Sequence, residues 1–366
     1  MRKRIMKIGM MSLWNAANGA SVHAELVGRA WKKAGHQLRV FSAKEHPDSR
    51  SIPKKNDDLV VRHFSVDQVT PVTRASWFDS HPLLEGDYGV FVAQNVERLP
   101  TRELLEIFPK IKEKAVTVQV VHEGRPPQDP LFYKFDWNAI VCFDERYRQY
   151  LVDFFPKEII HIIPYPCHPL RLGDKVGARV KLGFPLNKKI IFSFGFRNKE
   201  LIEVLPILEE LTREQTLRYV ILAYPGADNE ILADTIKGYD FVDLRESAVN
   251  TDELYTYLHA SDVFLIHRES SLRYKAVLSS TVALALGSGC PILYQDSNYV
   301  ELHGNEVIKY LDFKDMKGKI RALFETEYDI QPVAAYLDKN NAVRVAETFL
   351  RLFKELLEVR NHEGVA

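Results

Sequence analysis

The chain has 366 residues, a length that favours two domains of similar size over one enlarged core. Hydrophobic residues make up 46% and charged residues 27%, which excludes disordered and fibrous classes. The 49 basic and 49 acidic residues cancel, so no global field draws the chain to nucleic acid or anionic lipid, and such a partner would need a local patch. Cys142, Cys167 and Cys290 stand far apart without metal-ligand spacing, which suits a reducing, cytoplasmic compartment rather than a disulfide scaffold. The opening MRKRIMKIGMMSL is basic then apolar like a signal peptide, but its apolar run is short and leads into a strand pattern. No apolar segment approaches the length that crosses a bilayer.

Apolar runs of strand length alternate with helical patterns, the signature of parallel sheets with crossover helices. In the first half, strands are expected at 6–12, 37–42, 59–64, 88–93, 115–122, 139–143 and 161–164. A helix is expected over 21–34, with Val22, Leu26, Ala30 and Ala34 on its apolar stripe and Gly35 stopping it. The pattern breaks around Pro164, Pro166 and Pro169 and restarts at KKIIFSFGF. The second half repeats the rhythm, with strands at 189–194, 218–224, 242–244, 263–267, 291–294 and 307–310. Pro206 falls inside an expected helix, where a proline kinks or shortens it. The reading is α/β, with two Rossmann-like domains at 1–168 and 169–340 and a final helix in 341–366 that returns to the first domain.

Candidate site residues follow strands. Asn18, Gly19 and Ala20 form a small-residue turn feeding a helix, where backbone amides approach an anion or a sugar hydroxyl; a plain tight turn is the competing reading. His122 ends the strand VTVQVVH and precedes Glu123 and Gly124, the kind of strand terminus at which open α/β sheets bind ligands. A histidine closing a strand for structural reasons is its alternative. Gly195, Arg197 and Lys199 lie on the loop after the second domain's first strand, where a guanidinium fork and an ammonium suit a diphosphate; a solvated basic turn also fits. Further on, Ser279, Ser280 or Thr281 opens a short helix whose amides favour phosphate, or simply caps it. Glu269, just past a strand, is placed to accept hydrogen bonds from sugar hydroxyls, or is merely solvated. No GxGxxG fingerprint is present, which argues against a nicotinamide oxidoreductase.

Taken in order, NGASVHAELVGRAWKKAGHQLRVFS, VTVQVVHEG, NAIVCFDERYRQYL with HIIPYPCHPL, KKIIFSFGFRNKE, DELYTYLHASDVFLIH and ALALGSGCPIL resemble the GT4 family of retaining glycosyltransferases over nearly the whole chain. The resemblance implies the GT-B fold, two Rossmann-like domains facing each other across a cleft. It implies a role for His122 near the donor sugar, and for Arg197 and Lys199 on the donor pyrophosphate. One departure is that Leu284 stands where the family carries its second, ribose-binding glutamate; Glu269 is the candidate for the first. The implied activity is transfer of a hexose from a UDP- or GDP-linked sugar to a carbohydrate, lipid-linked or small-molecule acceptor, with retention. No tightly bound cofactor or metal is expected, and divalent metal is not required. The expected location is cytoplasmic, with room for peripheral contact at the inner membrane face. Alternatives are a catalytically silent sugar- or protein-binding homologue and a sugar epimerase or phosphorylase of the same fold.

Overall fold

Strands that read as continuous apolar runs can be buried on both faces, and in the computed structural model they pair almost entirely in parallel. The structure describes residues 5–16, 18–47, 57–69, 72–195, 198–225 and 229–363. It divides into two units, one holding Met1–Cys167, Leu272–Ser280 and Lys339–Ala366, the other His168–Ser271 and Thr281–Asp338.

The first unit contains β1 (Lys7–Met11), β2 (Gln37–Glu45), β3 (Val60–Gln68), β4 (Arg74–Phe78), β5 (Val90–Gln94), β6 (Val116–Val120), β7 (Ala139–Cys142) and β8 (Ile160–Ile162). Their order is β4-β3-β2-β1-β5-β6-β7-β8, so the chain winds outward from β1 and then restarts on its other side at β5. The expected strand at 59–64 extends to Gln68, and β4 is an addition: an antiparallel edge strand, mostly exposed and lacking an apolar run.

The first helix is Gly19–Lys33, and its N-cap is Asn18, whose side chain accepts from the Ser21 amide. Its buried side runs through Ala20, Ala24, Val27 and Trp31; of the expected stripe Val22, Leu26, Ala30 and Ala34, Leu26 alone is buried. The cause is burial from two directions, since the C-terminal helix Ala342–Glu363 covers the helix as well as the sheet does. The Trp31 indole donates to the Ala346 carbonyl at 3.3 Å, and Phe349 and Phe353 pack edge-on against its ring. A fully buried aromatic of this size contributes roughly 3 kcal/mol by burial alone. A bridge of Cys167 with Asn341 anchors the start of that helix.

The second unit contains β9 (Lys189–Gly195), β10 (Leu217–Ala223), β11 (Val242–Glu246), β12 (Val263–Ile266), β13 (Ile292–Gln295) and β14 (Ile308–Tyr310), in the order β11-β10-β9-β12-β13-β14, all parallel. Here too the chain winds outward and then restarts beside its first strand, at β12. One face of the sheet is sealed by a cluster that includes Ile191, Leu205, Leu208, Tyr219, Ile221, Val263 and Ile320. Pro206 does not kink a long helix. It sits in the first turn of Leu205–Thr212, after Asn198–Glu203 has ended, where a proline forfeits no hydrogen bond.

Candidate active site

In a doubly wound sheet the crossovers leave two neighbouring strands in opposite directions at the switch point, opening a crevice at their carboxyl ends. The first unit's switch falls between β1 and β5, and the expected site residues Asn18, Gly19, Ala20 and His122 gather there.

The turn after β1 is held by a half-buried carboxylate. Glu25 Oε1 accepts from the Asn15 amide at 3.0 Å and from Ser21 Oγ at 3.1 Å, while Ser21 Oγ accepts from the Ala16 amide. Burial raises the Glu25 pKa against these hydrogen bonds and the nearby Arg29, which lower it. Asn15 adopts φ 59°, a left-handed conformation that asparagine tolerates better than most residues. Asn18 Oδ1 caps the helix at 2.9 Å, leaving its Nδ2 buried with no partner among the described residues. The Gly19 carbonyl accepts from the Tyr165 hydroxyl at 2.6 Å, and a methyl group on Gly19 would meet Ser280 Cβ and Oγ at 3.2 Å. Ala20 is buried.

His122 lies two residues beyond β6. Its Nε2 donates to Gln94 Oε1, at the end of β5, at 2.9 Å. The ring packs edge-on against Phe143 at 5.0 Å and His23 at 5.1 Å, with Tyr165 at 6.5 Å. Enclosure by these rings holds the His122 pKa well below its ordinary value, and burial takes His23 down to about 3, so both imidazoles are neutral at physiological pH. His23, on the buried face of Gly19–Lys33, belongs to the surroundings of His122.

The corner after His122 is charged and tied down. Glu123 pairs with Arg98 at 3.2 Å and its carbonyl accepts from the Tyr150 hydroxyl at 2.5 Å; Arg125 faces Glu97 at 3.6 Å. Burial, reinforced by the charge of Glu123, pushes Glu97 up to about 7 despite Arg125 and Arg98. Gly124 O accepts from the amides of Lys275 and Ala276 at 2.8 and 3.0 Å. Arg146, itself paired with Asp144 at 2.9 Å, donates to Val277 O at 3.0 Å. These bonds place Leu272–Ser280 in the first unit, together with the buried Ser279 and with Ser280.

The second unit's switch lies between β9 and β12. β9 ends at Gly195 with φ 138°, which disfavours any side-chain-bearing residue. Arg197 lies outside the described residues; Lys199 lies in the helix Asn198–Glu203, its side chain undescribed. Glu269, in the loop after β12, is exposed. That loop is fastened by Asn298, which accepts from the Ser271 amide at 3.0 Å and donates to its carbonyl at 2.8 Å. The short helix Ser280–Ala285 begins at Ser280, with Thr281 half-buried in its first turn. Leu284 O accepts from the Tyr255 hydroxyl at 3.1 Å.

Three residues beside these sites escaped sequence reasoning. Gln94 closes an apolar strand, and only its position on the strand next to β6 would have flagged it. His267, buried at the end of β12, holds Tyr310 Oη at 2.7 Å with Nδ1 and Glu203 at 3.3 Å with Nε2, yet burial keeps its pKa lowered. Glu203 comes from the helix that carries Lys199. Among the described residues, no group of three or more His, Cys, Asp or Glu is arranged to hold a metal, and no helix is long and apolar enough to cross a membrane.

No family model matches the sequence. Among solved structures, a sucrose-phosphate synthase from Thermosynechococcus elongatus is 13% identical, with a TM-score of 0.67 over 97% of this chain and 100% of its own. A glycosyltransferase from Rickettsia africae is 12% identical, with a TM-score of 0.67 over 97% of this chain and 99% of its own. The Anabaena protein HepE, in complex with UDP and glucose, is 12% identical, with a TM-score of 0.65 over 96% of this chain and 100% of its own. At such identities the likeness speaks for architecture rather than reaction, and with the two switch-point sheets it shows that the chain has the GT-B fold.

Proposed function

We propose that the chain is a glycosyltransferase that moves a hexose from a UDP- or GDP-linked donor to an acceptor hydroxyl with retention of configuration, in the manner of the GT4 family it resembles. The observation that carries this reading is the gathering of His122, Gln94 and Asn18 at the first unit's switch strands, matched by Gly195, His267 and Glu269 at the second's. The structural neighbours support it: HepE was solved with UDP and glucose, and others are sucrose-phosphate and trehalose-6-phosphate synthases.

Arg197 and Lys199 neutralise the diphosphate as negative charge grows on it in the transition state, assisted by the amides that open the helix at Ser280. His122, neutral, orients the transferred sugar, and Glu269 receives a sugar hydroxyl. Because fixed cations do this work, the reaction needs no obligatory divalent metal, and a chelator leaves most of the rate. The acceptor is a carbohydrate, a lipid-linked molecule or a small molecule; a lipid-linked one would call for peripheral membrane contact.

A second reading, a silent sugar-binding homologue, draws on Leu284, whose side chain cannot bind a ribose as a glutamate would. The two separate by screening UDP-, GDP- and ADP-hexoses for thermal stabilisation and then assaying nucleoside diphosphate release with product analysis. A bound donor at a hundred times its Kd raises stability by about 2.7 kcal/mol. Stabilisation with transfer supports the enzyme, stabilisation without turnover supports the silent homologue, and neither effect removes both.

A further inference from the structure

Gln94 is almost fully buried, closes β5 at the switch point, and presents one amide oxygen to one nitrogen of His122. A carboxamide oxygen only accepts, so the 2.9 Å contact requires that His122 Nε2 carry the hydrogen. A neutral imidazole has one N–H, and Nδ1 is then a bare lone pair. Phe143, His23 and Tyr165 pack against the ring and oppose its rotation. We propose that Gln94 is a positioning residue that locks His122 in its Nε2–H tautomer, so that Nδ1 acts as a fixed acceptor for a hydroxyl of the bound sugar.

The second half of this statement rests on the glycosyltransferase reading; the tautomer does not. The consequence is a division of labour: His122 accepts a hydrogen bond and has no proton to give at Nδ1. Gln94→Glu would change the chemistry by placing an anion beside Nε2–H, favouring the imidazolium, whose Nδ1 is a donor. Gln94→Leu keeps the approximate volume and removes the tautomer preference.

The test is nitrogen NMR of the full chain with labelled histidine, without added sugar, so that a chain lacking transferase activity still gives an answer. Wild type should show the Nε2–H tautomer at His122, Gln94→Leu a mixture of tautomers, and Gln94→Glu protonation persisting to higher pH. Far-UV circular dichroism verifies that each variant is folded; if Gln94→Leu fails to fold, the wild-type and Gln94→Glu spectra decide. An Nδ1–H tautomer in wild type overturns the proposal, as does an unaltered tautomer in Gln94→Leu. Transfer assays then read the role: Gln94→Leu should lower kcat roughly tenfold with KM for the donor little changed, the effect of one misdirected hydrogen bond. An unchanged kcat would remove Gln94 from the mechanism even if the tautomer stands.

Discussion

Gly124 is the residue whose replacement the structure penalises most plainly. A methyl group built on it would overlap the Ala276 carbonyl outright, and backbone cannot swing aside as a flexible side chain does. To admit Gly124→Ala, the 272–280 segment must lift off. That movement breaks the two amide bonds to Gly124 O, at 2.8 and 3.0 Å, and the Arg146 bond to Val277 O at 3.0 Å. Two neutral hydrogen bonds at about 1 kcal/mol each and one charged bond at about 1.5 to 3 give a loss of about 3.5 to 5 kcal/mol. For a unit of this size the corresponding fall in Tm is on the order of 10 °C. Differential scanning calorimetry reads the Tm, and hydrogen exchange at the Lys275 and Ala276 amides reads the local event. Gly238→Ala is the control, since the added methyl there would meet only the Thr235 carbonyl at 4.0 Å, and it should change neither. Unchanged exchange at Lys275 and Ala276 in Gly124→Ala, with Tm intact, would refute the reasoning that ties this segment to the corner after His122.

Three further expectations follow. His23 holds a folded pKa of about 3 against an ordinary 6.5, so the unfolded chain binds a proton that the folded chain refuses; stability is full above pH 6.5 and falls as pH drops toward 3, and His23→Gln should flatten that acid limb in urea melts taken across the range, an unaltered limb counting against it. His122→Ala should cut turnover by about tenfold or more, the effect of losing a hydrogen bond that orients the sugar, while calorimetric affinity for free nucleoside diphosphate is kept, and equal loss of both would contradict its placement on the sugar. Glu269→Gln should weaken the sugar nucleotide by about tenfold relative to the free nucleotide, the worth of one charged hydrogen bond, whereas an unchanged ratio returns Glu269 to an ordinary exposed carboxylate.

Much of the fold was legible because buried parallel strands must be apolar throughout and their connections must be helical, so the order of elements can be read from pattern alone. His122 and Gly195 were legible for a related reason: they end such runs, and a sheet's carboxyl edge is where chemistry collects. What pattern could not carry was contact between distant residues. The Gln94 to His122 bond joins residues from adjacent strands that stand 28 positions apart in the chain. The docking of Leu272–Ser280 on Gly124 depends on tertiary packing that leaves no local periodicity. The buried side of Gly19–Lys33 was only partly placed, at Leu26, because the covering helix Ala342–Glu363 comes from the far end of the chain. β4 was missed since an exposed edge strand need not be apolar. Pro206 misled in the opposite sense, marking a helix start rather than a flaw.

The proposed donor site is the centre of the proposed function, and replacing Arg197 and Lys199 tests it most directly. Calorimetric titration of nucleoside, nucleoside diphosphate and nucleoside diphosphate hexose into wild type, Arg197→Ala and Lys199→Ala separates the base from the phosphates. Each charged bond to phosphate contributes about 1.5 to 3 kcal/mol, so either variant should bind the diphosphate about ten to a hundred times more weakly and the nucleoside as before. Transfer should slow by more than the affinity falls, because the diphosphate carries more negative charge in the transition state than in the bound donor. Diphosphate affinity and transfer rate equal to wild type in both variants would contradict the account.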